Sequence, residues 1–359
     1  MDLVEAFRTQ AAACGRLGSP LYDELLARIA DQLARTGPDT EVLTTVLRGH
    51  EHDVGPSALA LRLAGSVHRL VLAGEASALA AYYPTSGGTW DLPAAWPEFL
   101  ALLTRRTDDV RHLLELAPQT NEVGRSSALV GALLRCGVDL PVRLFEMGAS
   151  GGLNLRADAF RYTDARGASW GPTQSPVVLD GAWVGEPLDL QHSLTIVERA
   201  GCDVSPVDPT TEDGRLTLSA YVWPDQPARH ARLSGAFELA SRIPARVDQI
   251  DAASFVDRLD LQDGQATVLW HSVMWQYVPK GQQERVTARL HQLGERATPE
   301  RPLIHVYAEP LRRTPEAEHE FLVCVERWPD PGGSHGRRRV LGATAPHGVP
   351  TTWEPWGSA

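Results

Sequence analysis

The sequence predicts an α/β protein in which a helical N-terminal region precedes a mostly parallel β-sheet covered by helices. Two observations carry this prediction. Up to about residue 135, apolar side chains recur every three or four positions, which is the period of amphipathic helices. After about residue 138, short apolar runs alternate with helix-like segments, a pattern typical of a parallel sheet with helices on both faces. We therefore expect two domains, residues 1–135 and 136–359.

The N-terminal domain, expected to act as a lid or substrate domain, is predicted to be entirely helical. Its apolar residues form separate runs at helical spacing, and prolines fall between the runs, where helix breakers belong. No strand and no solenoid repeat are predicted there. The predicted helices are LVEAFRTQAAAC, YDELLARIADQLA, TEVLTTVLRGH, SALALRLAGSVHRLVLAG and WPEFLALLTRRTDDVRHLLELA.

The C-terminal domain is predicted to hold the sheet, because its short apolar runs end in turn residues, as strands buried on both faces do. The last two runs are joined by the turn-rich PDPGGSHG and predict an antiparallel hairpin at the sheet edge. Residues 163–192, rich in Pro, Gly and Trp, are predicted to be an irregular insertion, either a lid or an elaboration. The predicted strands are VRLFEM (142–147), SLTIVE (193–198), ATVLWHSV (266–273), PLIHVYAE (302–309), FLVCVERW (321–328) and RRRVLGAT (337–344), with QPARHARLSGAFELASRI, SFVDRLDL and GQQERVTARLHQLGERA as helices between them.

Composition and charge narrow the class of partner. The 359 residues are 43% hydrophobic and carry a net charge of −11, which argues against nucleic acid, because phosphate binding relies on a basic surface. A small-molecule partner is expected, and a homo- or hetero-oligomer is left open. The basic cluster Arg337–Arg339 stands among glycines and is predicted to be a solvated turn.

The chain is predicted to be cytoplasmic. Its N-terminus, MDLVEAF, lacks the basic and apolar regions of a signal peptide, and no apolar run approaches the ~20 residues of a membrane helix. The cysteines lie far apart without a C-x-x-C pair, which argues against a disulfide framework or zinc knuckle, and no metal is expected. They are Cys14, Cys136, Cys202 and Cys324.

The stretch VRLFEMGASGGLNL, residues 142–155, has two incompatible interpretations. Gly148, Ser150 and Gly152 spell G-x-S-x-G, the sharp turn that exposes the nucleophilic serine of many hydrolases. That turn normally follows several strands and an H-G-G-G oxyanion segment, and neither precedes it here. A serine hydrolase is therefore the weaker alternative.

The second interpretation is a cofactor-binding turn. The strand VRLFEM brings Glu146 to its carboxyl end, and Gly148, Gly151 and Gly152 let the backbone approach a ligand closely. A helix beginning near Leu153 would point its N-terminus at an anionic group of the ligand.

Polar residues follow other predicted strands. Asp203, in GCDVSP, is placed to accept bonds from both hydroxyls of a ribose. Asp251, in QIDAASF, is either the N-cap of the next helix or a ligand contact. The run LWHSVMWQYVP places aromatic and polar side chains at a strand exit, where a pocket is often lined, with a core histidine as the alternative. These side chains are His271, Ser272, Trp275 and Tyr277.

TNEVGR (120–125) is a polar cluster just before the glycine strand. Asn121 can cap a helix, which is the structural interpretation. In the functional interpretation Asn121, Glu122 and Arg125 face the site from the helical domain, where Arg125 fixes a carboxylate or sulfate through two hydrogen bonds.

Together these residues resemble the class I S-adenosylmethionine-dependent methyltransferases. E-x-G-x-x-G-G at 146–152 is similar to their first motif and G-x-D-x-S at 201–205 to their second. The helix 281–297, strand 302–309 and final hairpin resemble the family's closing β-α-β-hairpin. The resemblance implies a Rossmann-like domain that binds S-adenosylmethionine. It assigns the methionine part to Glu146, Gly148, Ser150, Gly151 and Gly152, the ribose to Asp203 and the adenine to Asp251.

The chain departs from that pattern in two places. Ser150 stands where the family usually has a glycine. About forty residues separate the first helix from GCDVSP, so Glu198, at the end of SLTIVE, is the alternative ribose ligand. Over nearly its full length the chain is also similar to an uncharacterised bacterial family, domain of unknown function 2332, in QTNEVGRSSAL, FEMGASGGLNL, GCDVSPVDPT, YVWPDQPARHARL and HSVMWQYVP.

The resemblance implies a methyltransferase acting on a small molecule. Methyl transfer needs alignment of donor and acceptor and, where the acceptor must lose a proton, a general base. His271 is the predicted base, with Arg125 and Glu122 as further catalytic candidates and Ser272 or Tyr277 orienting the acceptor. The alternative is the same fold without methyl transfer, as an enzyme of displacement or elimination in secondary metabolism or as a binding subunit.

Overall fold

The computed structural model describes residues 2–53, 58–116, 118–330, 332–333 and 335–355. Its helices are α1 (Leu3–Arg16), α2 (Pro20–Leu33), α3 (Pro38–Leu47), α4 (Leu59–Leu72), α5 (Ser77–Ala80), α6 (Leu92–Arg105), α7 (Thr107–Leu114), α8 (Ser126–Cys136), α9 (Glu212–Ala220), α10 (Pro227–Arg242), α11 (Ala252–Asp257) and α12 (Lys280–Gly294). Its strands are β1 (Val142–Met147), β2 (Arg161–Asp164), β3 (Ser169–Trp170), β4 (Val178–Gly185), β5 (Ile196–Asp203), β6 (Arg246–Gln249), β7 (Ala266–Ser272), β8 (Leu303–Leu311), β9 (Glu320–Trp328), β10 (Arg339–Thr344) and β11 (Thr351–Trp353).

The chain forms two compact units. One comprises Met1–Thr120 and Thr211–His230, and the other comprises Asn121–Thr210 and Ala231–Ala359. This division differs from the predicted boundary at residue 135. Residues 121–135 belong to the unit that contains the sheet, and residues 211–230 belong to the unit of the N-terminal helices. No helix in the described part of the chain is long and apolar enough to cross a membrane.

The first unit is built from helices whose apolar faces share one core, which includes Phe7, Leu25 and Leu63. Trp223 is buried in the same core. Two residues later, Asp225 accepts hydrogen bonds from the Ser19 hydroxyl (2.7 Å) and the Leu21 backbone N–H (2.9 Å) at the start of α2. The WPDQ segment therefore has a packing and capping role within this unit.

The second unit contains an eleven-stranded sheet in the described residues, with the order β3-β2-β4-β11-β10-β9-β8-β7-β1-β5-β6. The run β6-β5-β1-β7-β8 is parallel throughout. The prediction of an α/β protein with a mostly parallel sheet is confirmed. β9 and β10 pair antiparallel as predicted, but they lie inside the sheet. The prediction that this hairpin forms the sheet edge is wrong, because β11 and β4 continue the sheet beyond β10.

The parallel strands are covered on both faces. All six residues of β1 are buried. On one face, Phe145 and Leu269 pack with Phe255 of α11 and Val286 of α12. α8 packs against β4 and β8. Strands buried in this way read as continuous apolar runs, which is why β1, β7 and β8 were recognisable in the sequence.

Three local predictions are wrong. Residues 163–192 are not irregular throughout, because they include the end of β2 and all of β3 and β4, which extend the sheet, while 165–168, 171–177 and 186–192 lie outside the strands. The segment from Leu153 to Ala159 is a short 3₁₀ helix with a kink at Arg156, and not the start of a regular α-helix whose N-terminus faces a ligand. The strand predicted as SLTIVE begins at Ile196 and runs to Asp203.

Candidate functional site

The site candidate lies where the order of the parallel strands reverses. β1 and β7 are neighbours, β5 and β6 follow on one side, and β8 follows on the other. In sheets of this kind a crevice opens outside the carboxyl ends of the strands at the reversal. The residues that leave these strand ends are 148–152, 203–205 and 272–277, together with Glu309 of β8. We call this region the strand-end crevice.

The glycine turn after β1 is held in left-handed backbone conformations. Gly148, Ser150 and Gly152 have φ of 65°, 50° and 64°. A Cβ on Gly148 would lie 2.9 Å from the Cβ of Met274, so a side chain does not fit there without displacing Met274. The Leu153 backbone N–H donates to the Asn121 carboxamide at 2.9 Å. The turn is therefore fixed by its own conformation, by Met274 and by Asn121.

Asp203 stands at the carboxyl end of β5, beside the glycine turn. Its Oδ2 accepts the Ser150 backbone N–H and its Oδ1 accepts the Ser205 backbone N–H, both at 2.9 Å. Each carboxylate oxygen has a second lone pair, so Asp203 retains capacity for a ligand. The rival residue, Glu198, lies near the amino end of β5 and bonds Arg143 at 2.6 Å. It is therefore outside the strand-end crevice.

Glu146 is buried near the end of β1, with 2% of its surface exposed. Its Oε2 has no hydrogen-bond partner in the described structure. Burial raises the pKa of Glu146 to about 8, against the smaller lowering effects of neighbouring Trp270 and Asn154. The nearby Arg156 also lowers the pKa of Glu146, but by less than burial raises it, so this carboxyl is expected to keep its proton at neutral pH.

His271 and Glu309 form a buried pair at the ends of β7 and β8. The His271 Nδ1 lies 2.8 Å from the Glu309 Oε1, and that oxygen also accepts the backbone N–H groups of Met274 (3.1 Å) and Trp275 (3.3 Å). This carboxyl group favours the tautomer with the proton on Nδ1. The Nε2 atom then keeps the lone pair that can accept a proton. The His271 ring lies 5.1 Å from the Trp275 ring and 5.3 Å from the Tyr307 ring, centroid to centroid.

A second histidine–carboxylate pair lies beside the first. His305 Nδ1 is 3.2 Å from Glu326, and the Tyr307 hydroxyl donates to the same carboxylate at 3.3 Å. The His305 and His271 ring centroids are 5.2 Å apart. Burial lowers the pKa of His305, against the raising effect of Glu326.

Other predicted site residues lie in the same unit with different degrees of burial. Ser272 and Trp275 are half-buried, and Tyr277 is 55% exposed. Asp251 is the N-cap of α11, since its Oδ1 accepts the Ser254 backbone N–H at 2.9 Å, and this bond holds its pKa below the usual range. Of its two interpretations, the structure shows the N-cap.

The TNEVGR segment does not face the sheet from the helical unit, because residues from Asn121 onward belong to the sheet unit itself. Asn121 binds the end of the glycine turn, as described above. The Glu122 carboxylate accepts the Gly124 backbone N–H at 3.1 Å. Arg125 donates from Nε to the Pro346 carbonyl at 3.2 Å. The predicted placement in the helical domain is therefore wrong, and these bonds give the three side chains roles in holding loops.

Sequence reasoning identified His271 but missed Glu309, Asn154 and Trp270. One signal for Glu309 was present: PLIHVYAE ends in a glutamate, as VRLFEM nearly does, and the ends of neighbouring parallel strands meet at one edge. Within the described residues, no group of three or more His, Cys, Asp or Glu side chains is arranged to hold a metal ion.

The fold and site define an α/β protein with a buried histidine–carboxylate pair at the ends of its parallel strands. Residues 4–353 match the family model described as "Uncharacterized protein conserved in bacteria (DUF2332)". The match spans nearly the whole chain, and the protein belongs to this family. A search of curated proteins found no match.

Proposed function

We propose that the protein is an S-adenosylmethionine-dependent methyltransferase that acts on a small molecule. The observation that carries the proposal is Glu146, a buried acid with an unpartnered oxygen beside a glycine turn. Numbered along the chain, the parallel strands β6-β5-β1-β7-β8 have the order 3-2-1-4-5. That is the order of Rossmann-like nucleotide-binding sheets, whose ligands lie at the reversal point.

The residues present fit the cofactor in parts. Its methionine end carries an ammonium group, which suits the buried Glu146 carboxyl because a cation next to it favours the ionised form. Asp203 has lone pairs for the ribose hydroxyls. Asp251 lies two residues after the end of β6, the strand next to β5. Met274 lies against Gly148 with its Cβ and Cγ nearest, so the segment that carries Met274 has to shift before a ligand reaches the glycine backbone.

The bound cofactor would supply a methyl group on a positively charged sulfur. The protein's own contribution is to orient the acceptor, exclude water and remove a proton where the acceptor carries one. His271 takes that proton at Nε2, while Glu309 holds the ring through Nδ1 and stabilises the cation that forms. Trp275 packs against the ring of His271 and limits its rotation.

The test is titration of the full-length protein with S-adenosylhomocysteine, followed by thermal unfolding and calorimetry. We expect a saturable rise in Tm, because a ligand that binds only the native state stabilises it. At pH 7 binding should release a proton from Glu146, so the calorimetric enthalpy should differ between buffers of different ionisation heat. No binding at millimolar concentration would exclude the proposal.

Two variants sharpen this test. Glu146→Gln keeps the side-chain volume and removes the charge, and we expect it to weaken binding about tenfold, equivalent to ~1.4 kcal/mol, and to abolish proton release. Glu198→Gln makes the same change on β5 away from the strand-end crevice, and should leave the affinity unchanged. Equal loss in both variants would contradict the assignment of Glu146.

The second candidate is the same fold without methyl transfer. It is favoured by the closure of the glycine turn, where Met274 lies against Gly148 and Asp203 bonds two backbone N–H groups. In this case S-adenosylhomocysteine does not bind, while the His271–Glu309 pair still serves an acid–base step. A substrate screen with His271→Gln as the inactive control would separate an enzyme from a binding subunit.

A serine hydrolase remains the weaker candidate. The positive φ of Ser150 is what a strained nucleophile turn requires. The following segment, however, is a short 3₁₀ helix, and hydrolase turns lead into a regular helix. Labelling of Ser150 by a fluorophosphonate, absent in Ser150→Ala, would establish this reaction in place of methyl transfer.

A further inference from the structure

A cleft of about 190 Å³ lies beside the basic cluster that was predicted from the sequence to be a solvated turn. Arg339 lines it from the start of β10, Arg337 from the segment just before β10, and Arg327 from β9. The lining also includes one acidic residue, Asp330, and Cys136 at the end of α8. We call this feature the arginine cleft.

The pairing of β9 with β10 brings these arginines together. Arg337 and Arg339 both line the cleft, whereas Arg338, which lies between them in the sequence, is not among its lining residues. Arg339 pairs with Val325 across the two strands. The Gly336 backbone N–H donates to the Arg327 carbonyl at 3.0 Å, which brings Arg337 next to Arg327.

The charges of the arginine cleft do not balance. It holds three guanidinium groups and one carboxylate, Asp330, which pairs with Arg339 at 3.3 Å. Like charges on neighbouring positions of paired strands repel each other. The cleft is therefore locally cationic, in a chain whose net charge is −11.

Arg327 has an unfilled donor. Its Nη1 donates to the Cys136 carbonyl at 2.8 Å, whereas its Nε is buried and has no hydrogen-bond partner in the described residues. The Cys136 thiol does not supply the missing negative charge, because burial raises its pKa to about 11. A guanidinium group offers its donors in a planar fork that matches the oxygens of a carboxylate or phosphate.

We infer that the arginine cleft is a binding site for a small oxyanion, namely phosphate, either free or as the terminal group of a phosphate ester. The site is distinct from the strand-end crevice. Arg327 pairs with Ile304 near the amino end of β8, whereas Glu309 lies near the other end of that strand. Five residues of strand separate the two positions, which is roughly 16 Å. The inference does not depend on the proposed methyl transfer.

The experiment is calorimetric titration of the full-length protein with inorganic phosphate at constant ionic strength, with chloride as the exchanged anion. A parallel titration with glycerol phosphate distinguishes the free ion from the ester. We expect saturable binding of at least one of them and a matching rise in Tm. Binding that chloride reproduces at equal ionic strength would overturn the inference, since it would report general screening.

Matched variants locate the site. Arg337→Gln and Arg338→Gln remove the same charge one residue apart, but only Arg337 lines the arginine cleft. Because both side chains are exposed, neither variant should impair folding. We expect Arg337→Gln to weaken phosphate binding at least tenfold and Arg338→Gln to change it less than twofold. Equal loss in the two variants, or no loss in Arg337→Gln, would overturn the inference.

Discussion

Two glutamates at the same edge of the sheet occupy different environments. Glu146, near the end of β1, and Glu309, near the end of β8, are each 2% exposed, and each has an Oε2 without a partner in the described structure. The Glu309 Oε1 accepts hydrogen bonds from His271 and from two backbone N–H groups. For Glu146, burial raises the pKa to about 8, and the neighbouring Trp270 and Asn154 side chains lower it by less than burial raises it.

The difference shows that burial alone does not define the role of an acid. Glu309 is supplied with donors by its own chain, and its hydrogen bond to the His271 Nδ1 orients the His271 ring. The neighbours of Glu146 offset the effect of its burial only in part, so a cation from a ligand would favour its ionised form. A strand-end acid in the environment of Glu309 supports a neighbouring side chain. One in the environment of Glu146 is a candidate ligand site.

The largest effect is expected for Glu309→Ala. The substitution leaves the His271 Nδ1–H and the Met274 and Trp275 N–H groups without their acceptor. We expect the free energy of unfolding to fall by about 3 kcal/mol, because buried donors without partners are costly. Urea unfolding at pH 7 measures it. Glu316→Ala, at an exposed loop position, should change stability by less than ~0.5 kcal/mol. A loss for Glu309→Ala as small as this control would contradict the assigned role of Glu309.

The next effect is a pH dependence that belongs to Glu146. Its pKa is about 8 in the folded protein and 4.5 for an ordinary glutamate. As pH rises through this window, the unfolded chain releases the proton first, so the stability of the native state falls until Glu146 ionises near pH 8. Glu146→Gln cannot titrate and should lack this decline.

The measurement is urea unfolding of both proteins at pH 5 and pH 8. We expect the wild type to lose on the order of 3 kcal/mol relative to Glu146→Gln between the two pH values. Glu316→Gln serves as the titration control, because Glu316 is exposed. Parallel pH profiles for the wild type and Glu146→Gln would show that Glu146 is already ionised and has a partner.

The contrast between the two glutamates also marks how far the sequence could lead. Buried parallel strands such as β1 and β7 were recognisable because they read as continuous apolar runs. Strands β2, β3 and β4 were not, because they are short or only partly buried. Their side chains give no clear period from which to infer a strand.

The sequence identified individual residues of the site but not which of them contact each other. His271 was singled out by its residue type and its place at a strand exit. Its partner Glu309 lies 38 residues away, and their contact follows from the pairing of β7 with β8, which a single sequence does not specify. The bonds of Asp203 to the glycine turn were hidden for the same reason, because they connect the ends of β1 and β5.

A smaller effect is expected at the glycine turn. Gly148→Ala combines a left-handed φ of 65° with a Cβ that meets Met274 at 2.9 Å. We expect a loss of about 2 kcal/mol in stability, of which roughly 1 kcal/mol comes from the backbone conformation. Gly264→Ala has a similar φ of 77° and open space around the new Cβ, so it should show the backbone part alone. Equal losses would mean that Met274 moves aside without cost.

The smallest effect is expected for Asn121→Ala. This substitution tests whether the glycine turn near Glu146 opens independently of the segment bonded to Glu309. The substitution removes the acceptor of the Leu153 backbone N–H at the end of the glycine turn. We expect a stability loss of about 1 kcal/mol, as for other backbone caps. Hydrogen exchange should accelerate at the Leu153 amide. It should stay unchanged at the Trp275 amide, whose N–H donates a hydrogen bond to Glu309. If both amides accelerate together, the two strand ends open as one unit, and the role assigned to Glu309 cannot be separated from that of the glycine turn.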